Sequence, residues 1–390
     1  MALLAVGGVG VTRLVTGEAG AIVSAQPRAA TAPGPAASAR PLAIISQRPE
    51  VNAGAAAAVP ARAAGGRSAA DADDDDSMEI CGYGRVTKAE AEAAMAHRDR
   101  QPAWLERVKA VLTQRPNQGL SQLSARLAVG SDAERVAGRL IMDDVEGAAA
   151  IAAQSRDAAA YRLGLAGCGF GERSGGAPSC QGLSIQGWIE RDPADARPWL
   201  SLAGRSASKH NEAAVGEALA EALKRPKLSS SEPLMPVAMK VAQVVVTDRV
   251  ELGRLSLDVM GQQAAMSDWS VTALASYCGP AGIKDGQRLP LCRQLAVKLM
   301  DGADNFMEAQ VAQSVADRVG VPAEQRRYDK ATLTAAQQRF IELTTHDKAF
   351  GLDCASFGRV ANLFAERTER GELQMALDLL KRGAPASAAR

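Results

Sequence analysis

Beyond residue 78, apolar residues recur every three or four positions, with polar and charged residues between them. That period is one stripe of an α-helix. Trp104, Leu105, Val108, Val111 and Leu112 form one such stripe, and Leu123, Leu127, Val136, Leu140 and Ile141 supply further core faces. No alternating run longer than about four residues argues for a strand. Boundary chemistry agrees with helices. Thr87 precedes the helix-like KAEAEAAMAHRD. Ser131 and Glu134 have the S-x-x-E spacing of a capping box, ahead of AERVAGRLIMDD. Pro233 and Pro236 fall in the first turn of the next segment, where proline is tolerated. ELGRLSLDVMGQQ, NFMEAQVAQSVADRV, AAQQRFIELTT, FGRVANLFAERTER and ELQMALDLLKRG continue the series. The links are short, which makes neighbouring helices antiparallel. A helical region of about 310 residues exceeds what one core normally holds. The pattern therefore predicts an all-α fold, an α-solenoid of antiparallel hairpins over 79–390.

The first 78 residues differ. Residues 26–78 are rich in Ala, Pro, Gly, Ser and Arg and end near the run Asp73-Asp74-Asp75-Asp76. Without periodic apolar residues the segment cannot bury enough surface to offset its ordering entropy, so it reads as a disordered linker. The aspartates lack the spaced ligands and turn glycine of a calcium loop and read as a solvated acidic boundary. Residues 1–25 read as a degraded or truncated signal or anchor segment. Ala2–Val11 is mildly apolar, Arg13 interrupts it, and Val23-Ser24-Ala25 has the small residues of a cleavage site. A basic leading region is missing, as expected if the start lies inside a longer signal or anchor helix. Gly8-Val9-Gly10 does not extend to a dinucleotide fingerprint, since Arg13 stands at the third glycine and no βαβ pattern follows.

Composition narrows the partners. Lys and Arg number 45 and Asp and Glu 44, so the basic surplus of a nucleic-acid binder is missing. No apolar run reaches the roughly 18 residues of a membrane-spanning helix, which leaves a membrane tether only through the N-terminus. Aromatics are 4% and alanine is abundant, which favours helix over strand.

The 6 cysteines contain no Cys-x-x-Cys pair, and the 3 histidines do not cluster with them. Zinc and thioredoxin-like readings need such close spacing. Cys168 ends an apolar helix-like run, a Gly- and Ser-rich loop follows, and Cys180 opens GLSIQGWIE. Cys278 and Cys292 repeat that layout around GPAGIKDGQRLPL. The base of a helical hairpin can bring two Cα atoms within disulfide range. Cys81 and Cys354 then pair by elimination and tie the ends of the ordered region together. Three disulfides imply an oxidising compartment, periplasm or cell envelope. The alternative is a cytoplasmic protein with six reduced thiols.

One stretch, DPADARPWLSLAGRSASKHNEAAVGEALAEALKRP, carries a family resemblance. Trp199, Leu202 and Ala203 fit an opening W-x-x-L-G pattern with Ala for Gly, Val215 and Leu219 fill second-helix positions, and Pro226 closes the unit. It resembles one degenerate tetratricopeptide repeat. Ser206 stands where that family prefers Tyr, and the flanking hairpins match only in helix length and apolar spacing. The resemblance implies a right-handed superhelix whose first helices line a peptide-binding groove. Carried over, the groove-facing residues would be Arg197, Leu200, Gly204, Ala207 and Ser208. Plain helix packing with no groove is the competing reading.

Catalytic motifs are not evident. Ser206–Lys209 matches S-x-x-K, but the S-D-N and K-T-G elements that accompany it in penicillin-recognising enzymes do not occur. Asp143 with Asp144, and Asp192 with Asp195, are carboxylate candidates by residue type alone, and capping explains the second pair. His210 lies in the turn between the repeat's two helices, where Asn211 reads as a cap. Trp104, Trp188, Trp199 and Trp269 sit on apolar faces and read as core. No catalytic, cofactor or metal residue is assigned. The expected molecule is an exported, disulfide-stabilised scaffold that binds a protein or peptide. The alternatives are a carboxylate enzyme on a helical scaffold and a cytoplasmic repeat regulator with free thiols. Non-reducing peptide mapping should recover Cys168–Cys180 and Cys278–Cys292, and labelling of denatured, unreduced protein should find no free thiol; six free thiols would refute export.

Overall fold

A computed structural model describes residues 77–81, 84–87, 118–169, 177–266, 270–345 and 353–382. The expected leader, nearly all of the expected linker and the helix-like stretches at 88–99 and around Trp104 lie outside the described residues.

The described chain opens with an antiparallel hairpin, β1 (Ser77–Ile80) and β2 (Gly84–Thr87), paired from Ser77–Thr87 to Ile80–Gly84. Thr87 thus ends a strand, where the sequence suggested a helix start. Four-residue strands are too short to register as an alternation signal. The rest is helical: α1 (Gln118–Ala128), α2 (Asp132–Ile141), α3 (Val145–Gln154), α4 (Ala158–Gly167), α5 (Ile185–Arg191), α6 (Arg197–Ser208), α7 (Glu212–Lys224) and α8 (Leu234–Val245). There follow α9 (Arg249–Ala265), α10 (Val271–Tyr277), α11 (Arg288–Gly302), α12 (Phe306–Arg318), α13 (Lys330–Thr345), α14 (Cys354–Arg370) and α15 (Glu372–Lys381).

Polar caps set most of the starts, each accepting a backbone N–H that has no partner within its helix. Ser131 and Glu134 form the reciprocal capping box, at 3.3 and 2.7 Å. Asp144, Asp157, Ser184, Asn211, Asp248, Asn305 and Asp353 cap α3, α4, α5, α7, α9, α12 and α14.

Consecutive helices pack in pairs, among them α2 on α3, α3 on α4, α6 on α7 and α11 on α12. Helices far apart in the chain also meet. α8 returns to α1 and α2, and α9 runs along α14. A nearest-neighbour stack makes no such contacts, so the linear order expected of a solenoid is only part of this architecture.

Two apolar cores result. The first gathers residues such as Leu123, Leu127, Leu163, Trp188, Met239, Leu255 and Phe364 from α1–α5, α8, α9 and α14. The second gathers Leu200, Leu219, Leu274, Leu299, Val315 and Leu377 from α6, α7, α10–α12 and α15, with Leu333 and Ala336 of α13. Trp199 and Leu202 of α6 pack against both.

Two glycines are required by geometry. Gly371 has φ +79°, which lets α14 stop and α15 start without a linker. Gly253 lies where α9 meets α14, and a methyl group there would collide with the Phe357 carbonyl. Gly261, on the same helix, has open space around it. Gly253→Ala should therefore lower unfolding free energy by about 1–3 kcal/mol through overpacking. Gly261→Ala should raise it by about 0.5–1 kcal/mol, since alanine is the better helix former. Chemical denaturation of the two variants measures both, and equal shifts would contradict the close approach of α9 and α14.

Candidate functional site

The link from α7 to α8, Lys227 to Glu232, carries three consecutive serines and crosses between the two cores. Polar side chains of α4, α6, α12 and α14, or of the residues just before α6 and α12, hold it. Asp195, 1% exposed, accepts from the backbone N of Ser229 at 3.0 Å and its Oγ at 2.6 Å. It also accepts from the Arg197 backbone N at 3.1 Å, at the start of α6. Arg197 donates through Nε and Nη2 to the Ser229 carbonyl at 3.0 and 2.7 Å, and both Nη atoms donate to the Glu308 carboxylate. Both members of that ion pair are buried. Arg162 of α4 reaches the same link through the Ser229 Oγ at 3.0 Å and the Ser230 carbonyl. Asp304 accepts from the Ser231 backbone N at 3.2 Å and its Oγ at 2.9 Å, and Asn305 donates to that Oγ at 2.5 Å. At the far end Arg367 of α14 pairs with Glu232 at 2.5 Å and Glu372 at 2.8 Å.

This seam is closed and paired. Burial pushes the Glu308 carboxyl above its usual range, against the pull of Arg197. Burial likewise pushes Glu232 up to about 7, opposed by Arg367 and reinforced by Glu372 and Asp304. Of the two carboxylates read from sequence as caps, Asp195 takes the Arg197 N–H at the start of α6, whereas the Asp192 side chain pairs with Lys227 at 2.5 Å. Asp144 caps α3 and pairs with Arg139 at 2.9 Å, while Asp143 is a residue of positive φ beside it. Among the described residues no group of three or more His, Cys, Asp or Glu is placed to hold a metal ion. No described helix is long and apolar enough to cross a membrane.

The seam corrects the predicted groove. Arg197 and Leu200 are 1% and 2% exposed, so neither faces a ligand. α10 lies against this face of α6. Gly204 abuts Ser270, and Ala207 shares a cavity of about 270 Å³ with His210, Ala273, Ser276 and Tyr277. Ser208 and His210 are exposed at the end of the hairpin, where His210 takes φ 55°. Sequence reasoning missed the covering helix because apolar spacing alone does not say which neighbour lands on which face.

The other side of the hairpin is open. Trp199, Leu202 and Ser206 of α6 and Ala214, Glu217, Ala218, Glu221 and Lys224 of α7 border a groove of about 510 Å³. Trp199 is half-buried here, unlike Trp188, which is 1% exposed and fully in the core. The Arg225 guanidinium lies over the Trp199 ring, 5.2 Å from its centroid. A separate groove of about 490 Å³ runs across α1, α2 and α3 between Ala128, Met142 and Ile151, where Arg135 and Arg139 are already paired with Asp132 and Asp144.

All six cysteines are paired. Cys168–Cys180 and Cys278–Cys292 each have Cα atoms 5.7 Å apart, and Cys81–Cys354 has them 4.7 Å apart. Cys168 and Cys278 sit at the C-caps of α4 and α10. Cys180 lies in a 3-10 turn ahead of α5, and Cys292 lies one turn inside α11, so neither opens its helix as the sequence suggested. Three such bonds mark a chain that matures in an oxidising, exported environment.

No protein-family model matches this chain, and no curated protein or solved structure matches it.

Glu232 protonates near pH 7 in the folded chain, against an ordinary value of 4.5. Its contribution to stability is present in full below pH 4.5 and lost as pH rises through 7. Denaturation midpoints should therefore carry a rise in stability on acidification across this window, with a slope of up to about one proton. Glu232→Gln should remove that component; an identical pH profile in the variant would contradict it.

Proposed function

We propose that this protein is an exported helical scaffold of the cell envelope, built to bind another protein or a peptide. The carrying observation is the open groove on the α6–α7 hairpin, bordered by Trp199 on the side of α6 away from the buried Arg197 seam. Tryptophan, tyrosine and arginine are enriched among the residues that anchor protein–protein contacts. The frame beneath is fixed by the Arg197–Glu308 pair on the hairpin's covered face and by disulfides elsewhere, which suits a surface whose binding geometry is pre-organised. The pairing of all six cysteines favours the periplasm or an equivalent oxidising space over the cytoplasm. A kinship with tetratricopeptide-like repeats is supported by the α6–α7 hairpin, in which Trp199, Leu202 and Ala203 keep the opening pattern. An N-terminal tether would hold the helical body near the membrane.

Photo-cross-linking from exposed positions of the full chain, in native envelope, tests the binding role. Arg126, Val129, Glu217, Val244 and Ile341 sample different exposed positions. A discrete protein adduct from at least one position is expected. No adduct from any of them, with export confirmed by fractionation, would overturn the scaffold reading.

A further inference from the structure

Trp199, Leu202 and Ser206 stand at intervals of three and four on α6, so they form one stripe of that helix. By the same geometry that stripe is opposite Arg197, Leu200, Gly204 and Ala207, the face packed on the seam and on α10. Across from it, Ala214 and Ala218 of α7 make a shallow floor. The volume, about 510 Å³, falls in the range of about 300–1,000 Å³ typical of ligand pockets.

The charges around the groove are not equivalent. Glu221 pairs with Lys224 at 2.5 Å and with Arg225 at 2.7 Å. Arg225 also donates to the Pro193 carbonyl at 3.2 Å while lying over Trp199. Those three charges are committed within the hairpin. Glu217 is exposed and has no ion pair or hydrogen bond among the described residues. The groove therefore combines an aromatic and aliphatic wall, a floor of small residues and one uncompensated carboxylate.

We propose that this groove docks a short basic–apolar segment of a partner protein. An aliphatic or aromatic side chain packs on Trp199 and Leu202 over the alanine floor, and a neighbouring lysine or arginine pairs with Glu217. This rests on the scaffold reading above and adds to it the face and the chemistry of the partner. Complementary charge sets orientation and discriminates between partners, while the buried apolar contact supplies most of the affinity.

Two end-blocked peptides, Gly-Leu-Lys-Leu-Lys-Gly and Gly-Leu-Glu-Leu-Glu-Gly, test this on the oxidised full-length protein. Binding is read from the indole N–H resonances of tryptophan-labelled protein, with the Trp199 signal assigned through Trp199→Phe. The lysine peptide is expected to shift the Trp199 resonance and to bind more tightly than the glutamate peptide. Glu217→Gln should weaken the lysine peptide by about two- to fivefold, the size of an exposed ion pair. Glu217→Lys should reverse the order of the two peptides. Glu217 is exposed, so these variants do not threaten the fold. Equal binding of both peptides, an order unchanged by Glu217→Lys, or no shift of Trp199 with either peptide would overturn the groove. A partner cross-linked from another face alongside such a result would leave the scaffold reading standing.

Discussion

The pairing of Arg197 with Glu308 is the interaction on which the rest of this structure turns. Both side chains are out of water, and they come from residues 111 apart in the chain. Stripping water from two ions costs several kcal/mol each, and their attraction offsets this only when the remaining donors and acceptors are also satisfied. Here they are satisfied through the Ser229 carbonyl, which takes two further Arg197 bonds, and through Asp195, which takes both polar groups of Ser229. A half-formed version would leave a buried charge without a partner, at a cost of about 3–5 kcal/mol. Such an arrangement contributes little net stability, but it tolerates few alternatives. Arg162 of the first core and Arg197 of the second hold the same serine, so the two cores can be joined in few ways.

The disulfides act at two scales. Cys168–Cys180 and Cys278–Cys292 span separations of 12 and 14 residues and fasten the joints after α4 and α10. In the chain-entropy model each loop of that size contributes roughly 3 kcal/mol. Cys81–Cys354 spans 273 residues and fixes the β-hairpin to the start of α14. The same patch holds Arg254, which donates to the Cys81 carbonyl at 3.3 Å and lies over the Phe357 ring at 5.3 Å. Gly253 beside it permits the close approach of α9 and α14. Covalent link, cation–π contact and missing side chain thus coincide where the β-hairpin meets α14.

The two faces of one hairpin differ in what covers them. α6 has two polar-bordered faces. One begins with Arg197 and reads as exposed, yet it is consumed by the seam and α10. The other centres on Trp199, reads as core, and borders a groove. A tryptophan buried at a helical apolar position and a tryptophan bordering a groove look alike until the neighbouring helices are in place.

What the chain determined by itself is local chemistry. Helical periodicity, the Ser131–Glu134 capping box and the Asn211 and Asp248 caps act within four residues, so they are legible in a linear string. The hairpin disulfides were legible too, because each cysteine pair brackets a single turn between apolar runs, and Cys81 with Cys354 followed by parity. Tertiary structure alone decided the return of α8 to α1, the run of α9 along α14, and the face of α6 that α10 covers. It alone made the serines at 229–231 a clasp, since their partners Arg162, Asp304 and Asn305 lie 67 to 74 residues away. The physical reason is common to all of these. Periodicity says that a face is apolar or polar, whereas burial depends on what lands on it, and that is set by contacts between residues that have no fixed spacing in sequence.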